Sequence, residues 1–151
     1  INVENFFIEY GMQAITPREY IHDFEIPNPK AKQFDFRAYK VSKRRYEDIS
    51  TITGAFFVEK KLKKKPNVRF AFGGMAGIPK RSKSLENLFK QKFESDFDEN
   101  SIEMAIKNDF QPLTDCRATS LYRQRVAENL FKKFSCFVKN TFDIKEIEEV
   151  S

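Results

Sequence analysis

The apolar residues of this chain change period near residue 82, and that change limits what the chain can fold into. Before it they alternate, as in "FDFRAYK", "ISTITGAFFVEKK" and "VRFAFGGMA"; beyond it Leu85, Leu88, Phe89 and Phe93 recur at helical spacing. Strands first and helices afterwards is the α+β pattern, here an antiparallel sheet of about four strands with three helices packed on one face. At 151 residues one domain is expected, and 17 Phe with no Trp predict a core built on phenylalanine.

In "FDFRAYK", Phe34, Phe36 and Ala38 share one face and Asp35, Arg37 and Tyr39 the other, the pattern of a half-buried strand, which delivers Lys40 at its end. The next two runs, joined through "KLKKKPN", read as a hairpin with a basic tip over Lys60 to Lys65. Ahead of the sheet, Phe6, Phe7 and Tyr10 form an aromatic cluster, Thr16 opens a brief turn, and Phe24 and Ile26 stand at strand spacing before Pro27. Behind it, "RSKS" leads into a first helix, and Asn100 with Glu103 makes a capping box for a second. A third helix is predicted from Ala118 to Lys139, striped by Tyr122, Val126, Leu130, Phe134 and Phe137 with Ala127, Phe131 and Val138 alongside. Asp115 is placed to cap it, with Arg117, Tyr122 and Arg123 bracing neighbouring elements or a subunit contact.

Chemistry is sparse. Cys116 and Cys136 stand 20 residues apart, and the one histidine, His22, lies in the strand pattern far from both, so no zinc or iron–sulfur spacing can be written. Free thiols packed like other small apolar residues, in a reducing cytoplasm, are expected. Nothing reads as a signal peptide, and no apolar run nears the ~20 residues that span a bilayer. There is no G-x-S-x-G and no P-loop, and the acid pair Glu47 and Asp48 has no base beside it, so no catalytic or metal-binding residue is assigned. The opening "INVENFFIEYG", without an initiator methionine, is expected to be part of something longer.

Two stretches stand out. "YKVSKRRYEDI", Tyr39 to Ile49, sets Lys40, Lys43, Arg44 and Arg45 against Glu47 and Asp48; a nucleic-acid arm, a solvated loop and the polar edge of a cofactor pocket would each produce it. The net charge of +5, from 27 bases and 22 acids, permits an acidic partner without requiring one. In "FGGMAGIPKRS", a strand ending in Gly73 and Gly74 implies close backbone approach or a positive φ.

"FRAYKVSKRRYEDIS", "RFAFGGMAGIPKRS" and "DFQPLTDCRATSLYRQRVAENLF" together resemble, in order and spacing, the C-terminal domain of the FAD-binding subunit of bacterial xanthine dehydrogenase. The resemblance runs from "VENFFIEY", which is similar to the end of an upstream flavin-binding domain, to about Lys139. It implies residues 1–15 as that end or a linker, 16–140 as the flavoprotein C-terminal domain, and 141–151 as an acidic tail. It also implies an oxidoreductase of purine catabolism. Molybdopterin on another subunit or domain hydroxylates the purine, and iron–sulfur clusters carry the electrons to FAD, which reduces NAD. The implied partners are therefore the upstream FAD-binding domain, the iron–sulfur domain and the molybdopterin subunit, with no nucleic acid and no membrane.

By the same resemblance Lys40 matches the lysine that ends its strand beside the flavin ring, and Ile21 an apolar flavin neighbour. Lys43 to Ile49 match the charged loop between the flavin and the nicotinamide entrance, which makes Glu47, Asp48 and Ile49 the other cofactor-binding candidates. Related enzymes place an aspartate pair where this chain has Glu47 and Asp48. The family's phosphate-cradling glycine loops lie upstream, so the fragment alone is expected to bind FAD weakly and to be inactive. The alternatives are a related molybdenum hydroxylase acting on carbon monoxide, aldehydes or heteroaromatics, or a nucleic-acid module using Lys40, Lys43 to Arg45 and the hairpin tip.

Overall fold

The computed structural model describes residues 1–26, 34–44, 46, 49–59, 66–92 and 95–149, with side chains up to residue 139. Strands β1 (Phe7–Glu9) and β2 (Met12–Gln13) form a small hairpin. Strands β3 (Phe34–Val41), β4 (Ile52–Glu59), β5 (Val68–Gly73) and β6 (Lys80–Arg81) form an antiparallel sheet in that order, followed by helices α1 (Lys83–Gln91), α2 (Glu99–Asp109) and α3 (Ser120–Glu149). This is the α+β architecture that the change of period predicts.

The core follows from alternation on two strands. Ile52, Phe56 and Val58 of β4 and Val68, Phe70 and Phe72 of β5 are fully buried, each flanked by residues facing the other way. Against them the helices set Leu85 and Phe89, Ile102 and Ile106, and Ala127, Phe131, Phe134 and Val138. Phe56 stacks on Phe134 with centroids 5.1 Å apart, and Phe70 meets Phe89 and Phe131 edge-on at 5.3 and 5.7 Å. Such pairs contribute about 0.5–1.5 kcal/mol each beyond the area they bury. Gly54 lets α3 lie close: a Cβ there would press on the Phe56 ring at 2.8 Å and on Leu130 at 3.3 Å.

The short strand β6 leaves the Phe70 N–H beyond its ladder, and Glu86 of α1 takes that hydrogen bond at 3.0 Å. Glu86 is buried, and Arg81 neutralises it with two hydrogen bonds of 2.9 and 2.8 Å. The same guanidinium reaches Glu4, which ties the N-terminal turn to the sheet. Those two carboxylates hold the Arg81 pKa above its usual value, the hydrogen bonds that Arg81 donates to Glu86 weighing most.

Several local expectations are corrected. Phe24 and Ile26 form no strand and are exposed, since no neighbouring strand pairs with them among the described residues. His22 is likewise outside any strand, exposed and 3.1 Å from Asp23. Phe6 and Phe7 meet edge-on, but Tyr10 of the aromatic cluster is exposed. The second helix begins at Glu99, one residue before Asn100: Asp98 is its cap, accepting the Ser101 N–H at 2.8 Å. The third begins at Ser120 and continues to Glu149, with Thr119 accepting the Tyr122 N–H at 3.2 Å. Asp115 instead ties the loop before it, accepting the Arg117 and Ala118 N–H groups at 2.9 and 3.0 Å. Tyr122 is 49% exposed and Arg123 takes its place on the buried stripe. Both cysteines are free, as expected, but exposed rather than packed. The basic tip, Lys60 to Lys65, and Phe93 lie outside the described residues.

On β3, Arg37 and Tyr39 face the helices, while Phe36 is 48% exposed on the opposite side. The Arg37 guanidinium lies 4.0 Å over the Phe137 ring, and Lys133 lies 5.2 Å from the centre of Tyr39.

Candidate functional site

The register that sets Phe36 outward does the same for Lys40. It pairs with Thr53, which pairs in turn with Gly73, so a row of lysine, threonine and glycine crosses the open face at one end of the sheet. Lys40 is exposed, and its ammonium has no partner among the described residues. Thr53 and Gly73, its neighbours in register, are small.

The chain then turns through the loop of residues 42–51. Ser42 Oγ donates to the Arg44 carbonyl at 2.7 Å, and Lys43 Nζ donates to the Cys116 carbonyl at 2.9 Å. At the loop's far foot, the Thr51 N–H returns to the Val41 carbonyl at 2.7 Å. Lys40 therefore stands in the strand that enters this loop and Ile49 near its far foot, where it is exposed. Ile21 is also exposed and lies in irregular backbone that joins no strand. Glu47 and Asp48, with Arg45, lie outside the described residues.

Beneath the loop sits Arg123, 5% exposed. Its Nη1 donates to the carbonyls of Thr51 at 2.5 Å and Gly74 at 2.9 Å, and its Nη2 donates to both Asp115 oxygens at 2.8 Å. Gly74 has φ +80°, and a Cβ there would collide with the Thr51 carbonyl oxygen and lie 3.1 Å from the guanidinium. The glycine pair thus answers to its own domain: what comes near Gly74 is Thr51 and Arg123. Gly73 is ordinary, since a Cβ there would meet Thr53 at 3.7 Å. The Asp115 pKa is depressed to about 2, first by the Ala118 N–H, then by Arg123 and the Arg117 N–H. Of the three bracing candidates, Arg123 does the bracing; the Arg117 guanidinium has no partner among the described residues.

Beside this clasp a cleft of about 360 Å³ opens between Ser42, Lys43 and Thr51 on one side and Arg117, Thr119 and Tyr122 on the other. Among the described residues no group of three His, Cys, Asp or Glu side chains could hold a metal.

A profile of the CO dehydrogenase flavoprotein C-terminal domain matches residues 37–136, from β3 into α3. The chain belongs to that family. Solved structures repeat the fold: carbon monoxide dehydrogenase from Hydrogenophaga pseudoflava, at 20% identity and a TM-score of 0.69, covers 85% of this chain and 44% of its own. The enzyme of that name from Oligotropha carboxidovorans has 16% identity, a TM-score of 0.69 and coverage of 86% and 45%. Quinoline 2-oxidoreductase from Pseudomonas putida 86 has 14% identity, a TM-score of 0.57 and coverage of 86% and 44%. This chain therefore spans less than half the length of each. No curated protein sequence matches it.

Proposed function

We propose that this chain is the C-terminal domain of the flavin subunit of a molybdenum hydroxylase, closing an FAD pocket with the sheet end that carries Lys40. The observation that supports this reading best is Lys40, exposed and without a partner among the described residues, in register with the small residues Thr53 and Gly73 inside the stretch that matches a flavoprotein family. When bound, FAD would take electrons from iron–sulfur clusters and pass them to NAD, the electrons arising at a molybdopterin centre on a partner subunit.

The residues present fit one edge of such a group. Lys40 would supply a cation to the ring and Ile49 apolar cover, while Ile21, Glu47 and Asp48 are carried by the sequence resemblance alone. None of them is suited to cradling a pyrophosphate, a task left to an upstream flavin-binding domain. FAD binding by the chain alone is accordingly weak or nil, and the chain alone has no activity. The proposed substrate is xanthine and the proposed compartment the cytoplasm. The three sequence stretches that resemble xanthine dehydrogenase support the substrate. Among the described residues no helix is long and apolar enough to cross a membrane.

The test joins this chain to its flavin-binding domain and partner subunits, records the visible flavin spectrum, and assays NAD reduction. Flavin retained with xanthine-dependent NAD reduction is the expected result. Turnover of carbon monoxide, an aldehyde or quinoline with xanthine inert would move the substrate, and a flavin-free assembly would overturn the reading altogether.

A further inference from the structure

We propose that Arg123 is the positioning residue of the loop between β3 and β4, holding its foot in register from beneath. The β4–β5 ladder ends at the pair Thr53 and Gly73. Thr51, just before β4, and Gly74, just after β5, lie past that last pair. Arg123 Nη1 takes both carbonyls, bridging the strands where pairing stops, while Nη2 is anchored on Asp115 in the loop before α3.

Three segments far apart in sequence thus meet on one planar group. Thr51 is held a second time, by its N–H on Val41, so the position of Arg123 sets the spacing between β4 and the residue that follows Lys40. The guanidinium suits the task because its donors diverge in a fixed plane, whereas an ammonium carries the charge at a single point and cannot serve both carbonyls and the carboxylate in the same geometry. Gly74 completes the device, since any side chain there would displace the Thr51 carbonyl. The inference rests on the flavin reading only for what the loop meets, not for the clasp.

The experiment compares Arg123→Lys with Val138→Ala, a core change in the same helix remote in sequence from the clasp. Amide hydrogen exchange is read on this chain at Thr51, and at Phe56 and Phe70 as reporters of the sheet centre. In Arg123→Lys the Thr51 amide should exchange about tenfold faster relative to Phe56 and Phe70, whereas Val138→Ala should leave that ratio unchanged. An unchanged ratio in Arg123→Lys, with all amides accelerated together, would make Arg123 a purely structural residue and overturn the proposal. Should Arg123→Lys fail to fold, Asp115→Asn keeps the arginine, removes its counter-charge, and is held to the same ratio. The flavin-loaded subunit then gives a separate reading. Faster FAD release in Arg123→Lys but not in Val138→Ala extends the positioning to the cofactor; local exchange with unaltered FAD release keeps the clasp and means that the loop's foot does not meet the flavin.

Discussion

The two faces of the sheet carry similar residue types to opposite ends. Toward the helices, Phe56, Phe70 and Phe72 are sealed among Phe89, Phe131 and Phe134; away from them, Phe57 stacks on Phe34 at 5.4 Å and Phe36 remains half exposed. Phe56 and Phe70 each meet several rings, while Phe34 and Phe57 meet each other across the strands. Composition therefore does not locate the working surface. What separates the faces is helix α3, which lies over one of them and not over the one that carries Lys40.

The sharpest way to break this contrast is to cut one phenylalanine from each face. Phe134→Ala empties a site where two core rings meet and should cost about 3–5 kcal/mol. Phe36→Ala, half exposed, should cost less than about 1 kcal/mol. Denaturant unfolding measures both, and equal losses would mean that the outer face is as closely packed as the inner one.

The sheet, the hairpin and the three helices are legible because period 2 and period 3.6 sort residues without knowledge of neighbours. Which face of β3 turns inward is not legible, because alternation defines two faces and tertiary packing chooses between them. Here a long arginine stem and a tyrosine cover α3, taking positions that hydrophobicity alone assigns to phenylalanine. Nor does local spacing distinguish Asp98 from Asn100 as a cap, since each is followed three residues later by a helix-compatible polar residue. Phe24 and Ile26 show the opposite failure: the pattern of a strand without a partner to pair with. For the site, the glycine pair signals close approach, but only three-dimensional placement shows that a residue 49 positions away, Arg123, makes it.

The glycine pair sharpens the comparison at the sheet end. Gly74→Val meets both a positive φ and the Thr51 carbonyl, and should destabilise the domain by at least ~1–3 kcal/mol. Gly73→Ala, with ordinary space, should stay within about 0.5 kcal/mol if the strand tolerates the added methyl. Equal melting temperatures for wild type and Gly74→Val would remove the special backbone from the argument.

A smaller effect is expected from acid. Asp115 has a folded pKa of about 2, below its unfolded value, so its contribution is present at neutral pH and is lost as pH falls from about 4 through about 2. Asp115→Asn should therefore lose this part of the acid dependence, flattening the stability curve between those pH values while leaving its shape above pH 5 unchanged. Denaturant titrations at a series of pH values decide it; parallel curves for the two proteins throughout would mean that the Arg123 clasp does not respond to the charge of Asp115.

Lys40 should have the smallest effect on stability and the most specific effect on chemistry. It stands exposed at a strand end without a partner among the described residues, so Lys40→Met should leave the melting temperature within about 1 °C of wild type, unlike any change on the helix-facing side. In the flavin-loaded subunit, a cation beside the ring favours the more negatively charged reduced form. Removing it should lower the potential, and a tenfold change in the preference for reduced over oxidised flavin corresponds to about 30 mV for a two-electron couple. Arg45→Ala, on the loop, should alter nicotinamide access while sparing flavin content. Redox titration and flavin stoichiometry distinguish these outcomes. Parental values of both in Lys40→Met would mean that the open face does not meet the flavin, and the difference between the two sides of the sheet would reduce to packing alone.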